Sequence, residues 1–337
     1  MAVETFHMKF KTADLSNYDI SEVAKFVLHF YIMEKQAINR KTILVTGATG
    51  HQGGATAETL LRKGHRVKAL TRNPQSPAAK KLEGLGAILC QGDFDDSKSL
   101  EEAMSGADTV FAMGSPFVGD ANLDTEIKQG KLLCDIAVNQ KISHFIYTSA
   151  ADADRNSGVP HMDSKFEIEK HIVQSGIPYT IIGPAYFMDN LTDLLLPGLQ
   201  KGVYTNAVDP TKKLQQILME DLGNFVVLIV EQKEQFLGKR IDVASDELTG
   251  QEAAAILSKT IGRAIKCAPM SSKELEQAIG EERGRDMTMM FDYYSRVGMH
   301  ADIEQLRFDY PEVGWHRFAD WVQNLDWEKL LANVKQW

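Results

Sequence analysis

At 337 residues, with 44% apolar and 25% charged residues, the chain has room for one large α/β domain and a smaller appended part. Its formal charge of -9 argues against direct nucleic-acid binding, which needs a basic surface to displace counterions from phosphates. No segment reaches the ~18 to 20 apolar residues of a membrane span.

In chain order, residues 1–40 stand apart as an N-terminal extension. They hold a polar start and a predicted helix, SEVAKFVLHFYIMEKQ, with Ser21 or Asp19 as its cap. Its apolar run KFVLHFYI is too short to span a bilayer and carries Lys25 and His29. From Lys41 the pattern alternates. TILVTG is a strand, TAETLLRKG a helix ending at Gly64, RVKALTR a second strand and SPAAKKLEGLG a short helix. AILCQGD is a third strand, SKSLEEAMSG a helix capped by Ser97, and DTVFAMG a fourth strand. A helix over 122–139 leads to strand HFIYTSA. The helix at VPHMDS and strand PYTIIGPA complete six units. Strands and helices at this spacing predict a doubly wound parallel sheet with right-handed crossovers.

After Pro184 the regularity fails. A helix near 220–232 and strand KRIDVAS follow, then several helices. The expected division is a dinucleotide-binding domain over 41–185, with 215–245 lending it a last helix and strand. Residues 186–337 form a smaller C-terminal α+β lobe. The start of the chain lacks a signal-peptide layout. Cys90, Cys134 and Cys267 are too far apart for a C-x-x-C pair, and an odd number suits a reducing compartment. A cytoplasmic protein is expected.

The stretch TILVTGATGHQGG places Gly47, Gly50 and Gly53 between a strand and a helix, in the first unit of the βαβ series. The first glycine permits the tight turn, the next lets backbone N–H groups approach a pyrophosphate, and the last lets the helix pack on the sheet. Phosphates then meet unpaired amides and the positive end of the helix dipole. The second strand ends in KALTRNPQSP, with no acid to accept from a ribose 2′-hydroxyl. Arg72, Asn73 and Ser76 are available for a 2′-phosphate, so NADP(H) is preferred over NAD(H). Asp93 and Phe94 after the third strand are placed for the adenine. Met113, Gly114 and Ser115 after the fourth are placed for the ribose and nicotinamide.

TGATGHQGG, LTRNP, QGDFDD, EIKQGKLLCDIA, HFIYTSA, PHMDSKFEIEK and PAYFMDNL follow one another at the expected strand ends. Together they resemble the NmrA-like family of atypical short-chain dehydrogenases, nearest to its NADP-sensing type, over about residues 41–300. The resemblance implies a seven-stranded NAD(P)-binding Rossmann fold with a small C-terminal lobe. It also implies NADP(H) contacts at Gly47, Ala48, Thr49, Gly50, His51, Gln52, Arg72, Asp93, Phe94, Lys165, Tyr186 and Phe187. The loop holding the last two reads YFMDN, one residue longer than the family form.

Short-chain dehydrogenases in general keep a Ser at the end of strand five, a Tyr that donates a proton and a Lys one helical turn later. Here Ser149 and Lys165 are in place, but position 161, twelve residues after Ser149 and four before Lys165, is His. A histidine can act as a general acid. If Pro160 is the first helical residue, His161 and Lys165 share a helix face. If Asp163 or Ser164 is the cap, with Ser164 and Glu167 forming a capping box, His161 lies outside the helix. Carboxylates at Asp95, Asp96 and the DADRN loop have no metal-ligand spacing. Phe291, Tyr293, Tyr294 and Trp315 either wall a pocket or belong to the core.

The preferred reading is an NADP(H)-binding redox sensor or regulator that acts through a protein partner. The alternative is an NAD(P)H-dependent reductase of quinone-like or other small electrophiles. A sugar-nucleotide epimerase or dehydratase ranks last, because it normally needs the Tyr. The expected partners are a dinucleotide with a protein or a small-molecule substrate, and a homodimer is compatible. An open apolar cavity beside His161 would mark the reductase, and a pocket closed by YFMDN would mark the sensor.

Overall fold

Short β-branched and apolar runs make the strands, and the helices between them carry the chain back to start the next strand in parallel. The computed structural model describes residues 40–332 apart from 115, 118–121 and 207. The predicted N-terminal helix and Ser115 therefore lie outside the described residues. Strands β1 (Thr42–Val45), β2 (Arg66–Thr71), β3 (Ile88–Gln91), β4 (Thr109–Ala112), β5 (His144–Thr148) and β6 (Tyr179–Pro184) alternate with five helices. These are α1 (His51–Arg62), α2 (Pro77–Gly84), α3 (Ser97–Met104), α4 (Leu123–Asn139) and α5 (Pro160–Ser175). Next come β7 (Tyr186–Phe187), α6 (Leu196–Gln200), β8 (Val203–Asn206), β9 (Lys213–Ile217), α7 (Met219–Glu231), α8 (Lys233–Phe236) and β10 (Lys239–Val243). The remainder is β11 (Asp246–Thr249), α9 (Gly250–Ile261), β12 (Lys266–Pro269), α10 (Ser272–Ile279), α11 (Glu281–Val297) and the short α12 (Ile303–Asp309), α13 (Phe318–Gln323) and α14 (Trp327–Ala332).

Seven strands form one parallel sheet in the order β10-β6-β5-β4-β1-β2-β3. The chain runs outward from β1 in one direction and from β4 in the other. A crevice therefore opens at the carboxyl ends of these two strands, the usual ligand position in such sheets. Side-chain alternation distributes the core over both faces. Ile43, Val45 and Ile146 pack with Ala57 and Leu60 of α1 and Phe225 of α7. Leu44, Phe145 and Tyr147 pack with Leu100, Leu133 and Ile172 of α3, α4 and α5. A Cβ on Gly223 would lie 2.7 Å from the Thr59 hydroxyl, and one on Gly130 would lie 2.6 Å from Ile168 Cδ1. Both positions need glycine because their helices cross closely.

Helix α3 is capped by Asp96, not by Ser97. The turn closed by the Asp96 N–H on the Asp93 carbonyl leaves Asp96 extended, and its carboxylate accepts from the Lys98 and Ser99 N–H groups. Helix α5 begins at Pro160, so His161 and Lys165 do share a face, one turn apart. Ser164 does not cap; its hydroxyl donates to Glu126 at 2.6 Å.

The later chain adds a three-stranded sheet, β11-β9-β7, and a parallel pair, β12-β8. Leu199, Tyr204, Leu257, Phe318 and Val322 form a third core cluster beneath them. Trp315 lies in the main core, its ring 5.7 Å from Phe225. Among the described residues no helix is long and apolar enough to cross a membrane.

Candidate functional site

The glycine-rich turn joins β1 to α1 at the crevice. Thr46 Oγ1 accepts from the Met113 N–H at 2.8 Å and donates to the Met113 carbonyl at 3.1 Å, which ties the ends of β1 and β4 together. Gly47 takes the left-handed conformation at φ +61°. A Cβ there would lie 2.7 Å from the Met113 sulfur, and one on Gly53 would lie 2.3 Å from the Gly47 carbonyl oxygen. Helix α1 has Gly50 at its N-cap, no side-chain cap and no acid in its first turn. Its first amides and its dipole are left for an anion. Ala48 is buried, whereas His51 is exposed, with Nε2 3.6 Å from Asp193. Gln52 turns inward and donates to the Thr148 hydroxyl at 2.5 Å.

Along the neighbouring strand ends, Arg72 is exposed, and among the described residues it has no carboxylate partner. Asn73 and Ser76 already have local tasks. Asn73 Oδ1 accepts from the Gln75 N–H at 3.0 Å, and Ser76 caps α2 by accepting from the Ala79 N–H at 3.2 Å. Asp93 Oδ1 accepts from the Asp95 N–H at 3.0 Å, while Phe94 packs against the second core face.

Lys165 reaches the same crevice from α5. Its ammonium donates to Glu126 Oε1 at 2.8 Å and to the Gly114 carbonyl at 3.3 Å. His161 is buried one turn earlier. Asp286 of α11 accepts from the His161 backbone N–H at 2.9 Å through one oxygen, and the other oxygen meets His161 Nδ1. With Nδ1 committed to Asp286, Nε2 is the ring atom left to exchange a proton.

Ser149 sits differently from its expected role. It is buried, and its hydroxyl donates to Glu169 of α5, which also accepts from Arg240 Nε at 2.8 Å. Arg240 also holds Asp242 at 2.6 Å and the Ala150 carbonyl at 3.0 Å. Burial pushes the Glu169 carboxyl above its ordinary range, with Arg240 and the Ser149 hydroxyl pulling the other way. Ser149 still lines the cavity described next, but its proton is directed away into this network.

Beside His161 and Lys165 lies a cavity of about 400 Å³. Gln52, Met113, Gly114, Thr148 and Ser149 form its sheet side. Its opposite wall is apolar, with Met270, Leu275, Ile279, Met287, Met290 and Phe291 contributed by α10, α11 and the turn before them. Exposed Leu194 and Arg283 also line it, so it opens to solvent. Tyr186, Phe187 and Asn190 border it without closing that mouth. Strand β7 is fixed by pairing with Gln216 and Ile217 of β9, and Asp189 accepts from the Met219 N–H at 2.9 Å. Burial pushes the Tyr186 hydroxyl up to about 12, against a hydrogen bond with Asn190, which keeps it a neutral donor. Of the aromatic set, Phe291 and Tyr294 line the cavity, while Tyr293 faces a separate depression with Arg296 and His300. Among the described residues no cluster of His, Cys, Asp or Glu could hold a metal ion.

Sequence reasoning missed Glu126, Asp286, Glu169 and Arg240. For two of them a signal was present. Glu126 falls on the buried face of α4 with Gly130, Leu133 and Ala137, and Asp286 on that of α11 with Met290, Tyr293 and Tyr294. A single carboxylate in an i, i+4, i+7 apolar row is one that folding must pair.

A model of the NmrA-like family matches residues 39–325. An NmrA-like family domain-containing protein of Dictyostelium discoideum is 27% identical over 275 residues, covering 77% of this chain and 88% of that protein. Two solved structures share the fold. An NADPH-dependent quinone oxidoreductase of Escherichia coli, in complex with NADPH, has a TM-score of 0.70 at 24% identity, covering 83% of this chain and 98% of that one. NmrA, a negative transcriptional regulator in complex with NADP, has a TM-score of 0.70 at 21% identity, covering 89% of this chain and 99% of that one.

Proposed function

Because this chain belongs to the NmrA-like family, we propose that it is a reductase that takes a nicotinamide dinucleotide, NADP(H) before NAD(H), and reduces a quinone-like or other small electrophile. The observation that carries this reading is the open, apolar cavity beside His161 and Lys165. The cradle fits the cofactor. It offers uncapped helix amides over glycines whose Cβ positions are already filled, and relatives in the fold bind NADPH and NADP. Arg72, exposed at the end of β2 without a carboxylate partner among the described residues, supports the preference for a 2′-phosphate. When bound, the reduced cofactor supplies a hydride.

The chain's own residues do the rest. Gly47–Gly53 hold the pyrophosphate, with Asp93 and Phe94 flanking the adenosine side. Lys165, fixed by Glu126, donates to the nicotinamide ribose. Net reduction of a quinone to a hydroquinone takes one hydride and one proton. His161 is positioned to supply that proton through Nε2, and Asp286 holds the ring in place. The apolar wall orients a flat acceptor. A cytoplasmic location fits the three free cysteines.

The test follows NADPH oxidation by its near-ultraviolet absorbance with a panel of quinones, dyes and aldehydes. We expect turnover of a quinone, with His161→Asn lowering kcat about 100- to 10,000-fold and Asp286→Asn lowering it by less. Tight dinucleotide binding with no turnover on any acceptor would sink the reductase. It would favour the second reading, a redox sensor that reports to a protein partner. That reading draws on the absent tyrosine and on the regulator NmrA's place among the structural relatives.

A further inference from the structure

The charge on the cavity wall is one-sided. The chain carries 46 acidic and 37 basic residues, yet among the described residues no Asp or Glu lines the cavity; its basic side chains are His161, Lys165 and Arg283. Two of these are matched from behind, His161 by Asp286 and Lys165 by Glu126. Arg283 is not: among the described residues it has no carboxylate partner. On the same turn of α11, Glu281 is already held by Arg285.

The placement of Arg283 is specific. Arg283, Met287, Met290 and Tyr294 follow one another at i, i+4, i+7 and i+11, so one stripe of α11 faces the cavity. The guanidinium carbon lies 5.4 Å from the centre of the Phe117 ring. That ring is in turn 6.0 Å from the ring of His161. The guanidinium and the His161 imidazole therefore both lie beside one aromatic ring. A guanidinium over an aromatic ring can still bind a carboxylate, sulfonate or enolate through two hydrogen bonds of its N–H fork.

We propose that the cavity takes a flat, apolar ligand bearing an anionic group, and that Arg283 selects it. On the reductase reading, which this inference deepens, that ligand is the acceptor. Its reducible end lies toward His161 and Lys165 and its acidic group lies at the mouth.

The test uses the full chain and two matched pairs of probes. For binding, anilinonaphthalene sulfonate is compared with phenylnaphthylamine, which lacks only the sulfonate. For turnover, naphthoquinone sulfonate is compared with naphthoquinone, with NADPH as donor. The wild type is expected to prefer the sulfonated member of each pair. Arg283→Gln should reduce that preference roughly tenfold, and Arg283→Lys should keep part of it. NADPH affinity, measured alongside, should not follow the preference. Equal losses for charged and neutral probes, or no preference in the wild type, would overturn the assignment. A fall in NADPH affinity that parallels the lost preference would also overturn it, because Arg283 would then serve the dinucleotide. A sulfonate preference in binding without turnover of any quinone would sink the reductase reading while upholding the ligand class. Turnover without that preference would do the reverse.

Discussion

The two ends of strand β5 handle buried polar groups in opposite ways. At its start, His144 is fully buried and shares a hydrogen bond of 2.8 Å with the Thr180 hydroxyl. Burial, with a smaller push from Lys233, lowers its pKa to about 4, so the ring stays neutral. Just past its far end, Ser149 joins Glu169, Arg240 and Asp242 in a network of charges, with His161–Asp286 and Lys165–Glu126 close by around the cavity. A lone buried ionisable group gives up its charge, whereas in the network Arg240 works against the burial that raises the Glu169 and Asp242 carboxyls. These buried pairs lie around the cavity at the carboxyl ends of the strands, where ligands of such sheets gather.

The largest change expected in this contrast comes from Lys165→Met. It strands Glu126, which is 1% exposed, and should cost roughly 3 to 5 kcal/mol in urea unfolding. It should also weaken NADPH and NADH alike. Adding Glu126→Gln should recover much of the stability but not the dinucleotide affinity. Recovery of both would mean that Lys165 serves only the fold.

Acid exposes the other end of the strand. His144 takes up a proton below 6.5 when unfolded but only below about 4 when folded. Its contribution is therefore complete above pH 6.5 and is lost as the pH falls toward 4, amounting to roughly 3 kcal/mol over that window. A His144→Gln variant should show a shallower acid slope. An unchanged slope would mean that His144 is not held neutral by the fold.

Gly53→Ala tests the cradle. Its Cβ would be forced against the Gly47 carbonyl oxygen, and about 1 to 3 kcal/mol of stability should go with it. Calorimetry should also show weaker dinucleotide binding. The smallest effect is expected from Arg72→Ala, which should weaken NADPH by roughly tenfold, about 1.4 kcal/mol, and leave NADH nearly unchanged. Equal losses for both would remove Arg72 from 2′-phosphate recognition.

Much of the architecture was legible in the residues. The runs TILV, RVKALT, HFIYT and YTIIGP became parallel strands within a residue or two of expectation, because periodicity and glycine punctuation are local signals. The shift of the α3 cap from Ser97 to Asp96 was a matter of one turn's geometry. The glycine-rich turn was legible for the same reason: Gly47, Gly50 and Gly53 shape it through their own backbone, and their neighbours in sequence are their neighbours in space. The strand–turn–helix context and the missing tyrosine at position 161 were likewise readable from the order of residues.

What the residues could not reveal was which charges meet. His161 and Asp286 are 125 positions apart, Lys165 and Glu126 are 39 apart, and Arg240 reaches Glu169 across 71. In the sequence Asp286 sits among EERGRD and looks like one more solvated charge. Only packing of α11 against the start of α5 buries it, and burial is what turns a carboxylate into a partner that must be matched. By itself the sequence determined the parallel sheet, the glycine-rich turn between β1 and α1 and the absence of the usual tyrosine, since each depends on local backbone preference and spacing. The tertiary structure alone decided that His161 is held by a carboxylate, that Ser149 is turned into a buried network and that, among the described residues, the cavity wall carries no acid. Those properties depend on desolvation and on contacts between distant segments, and neither exists until the chain has folded.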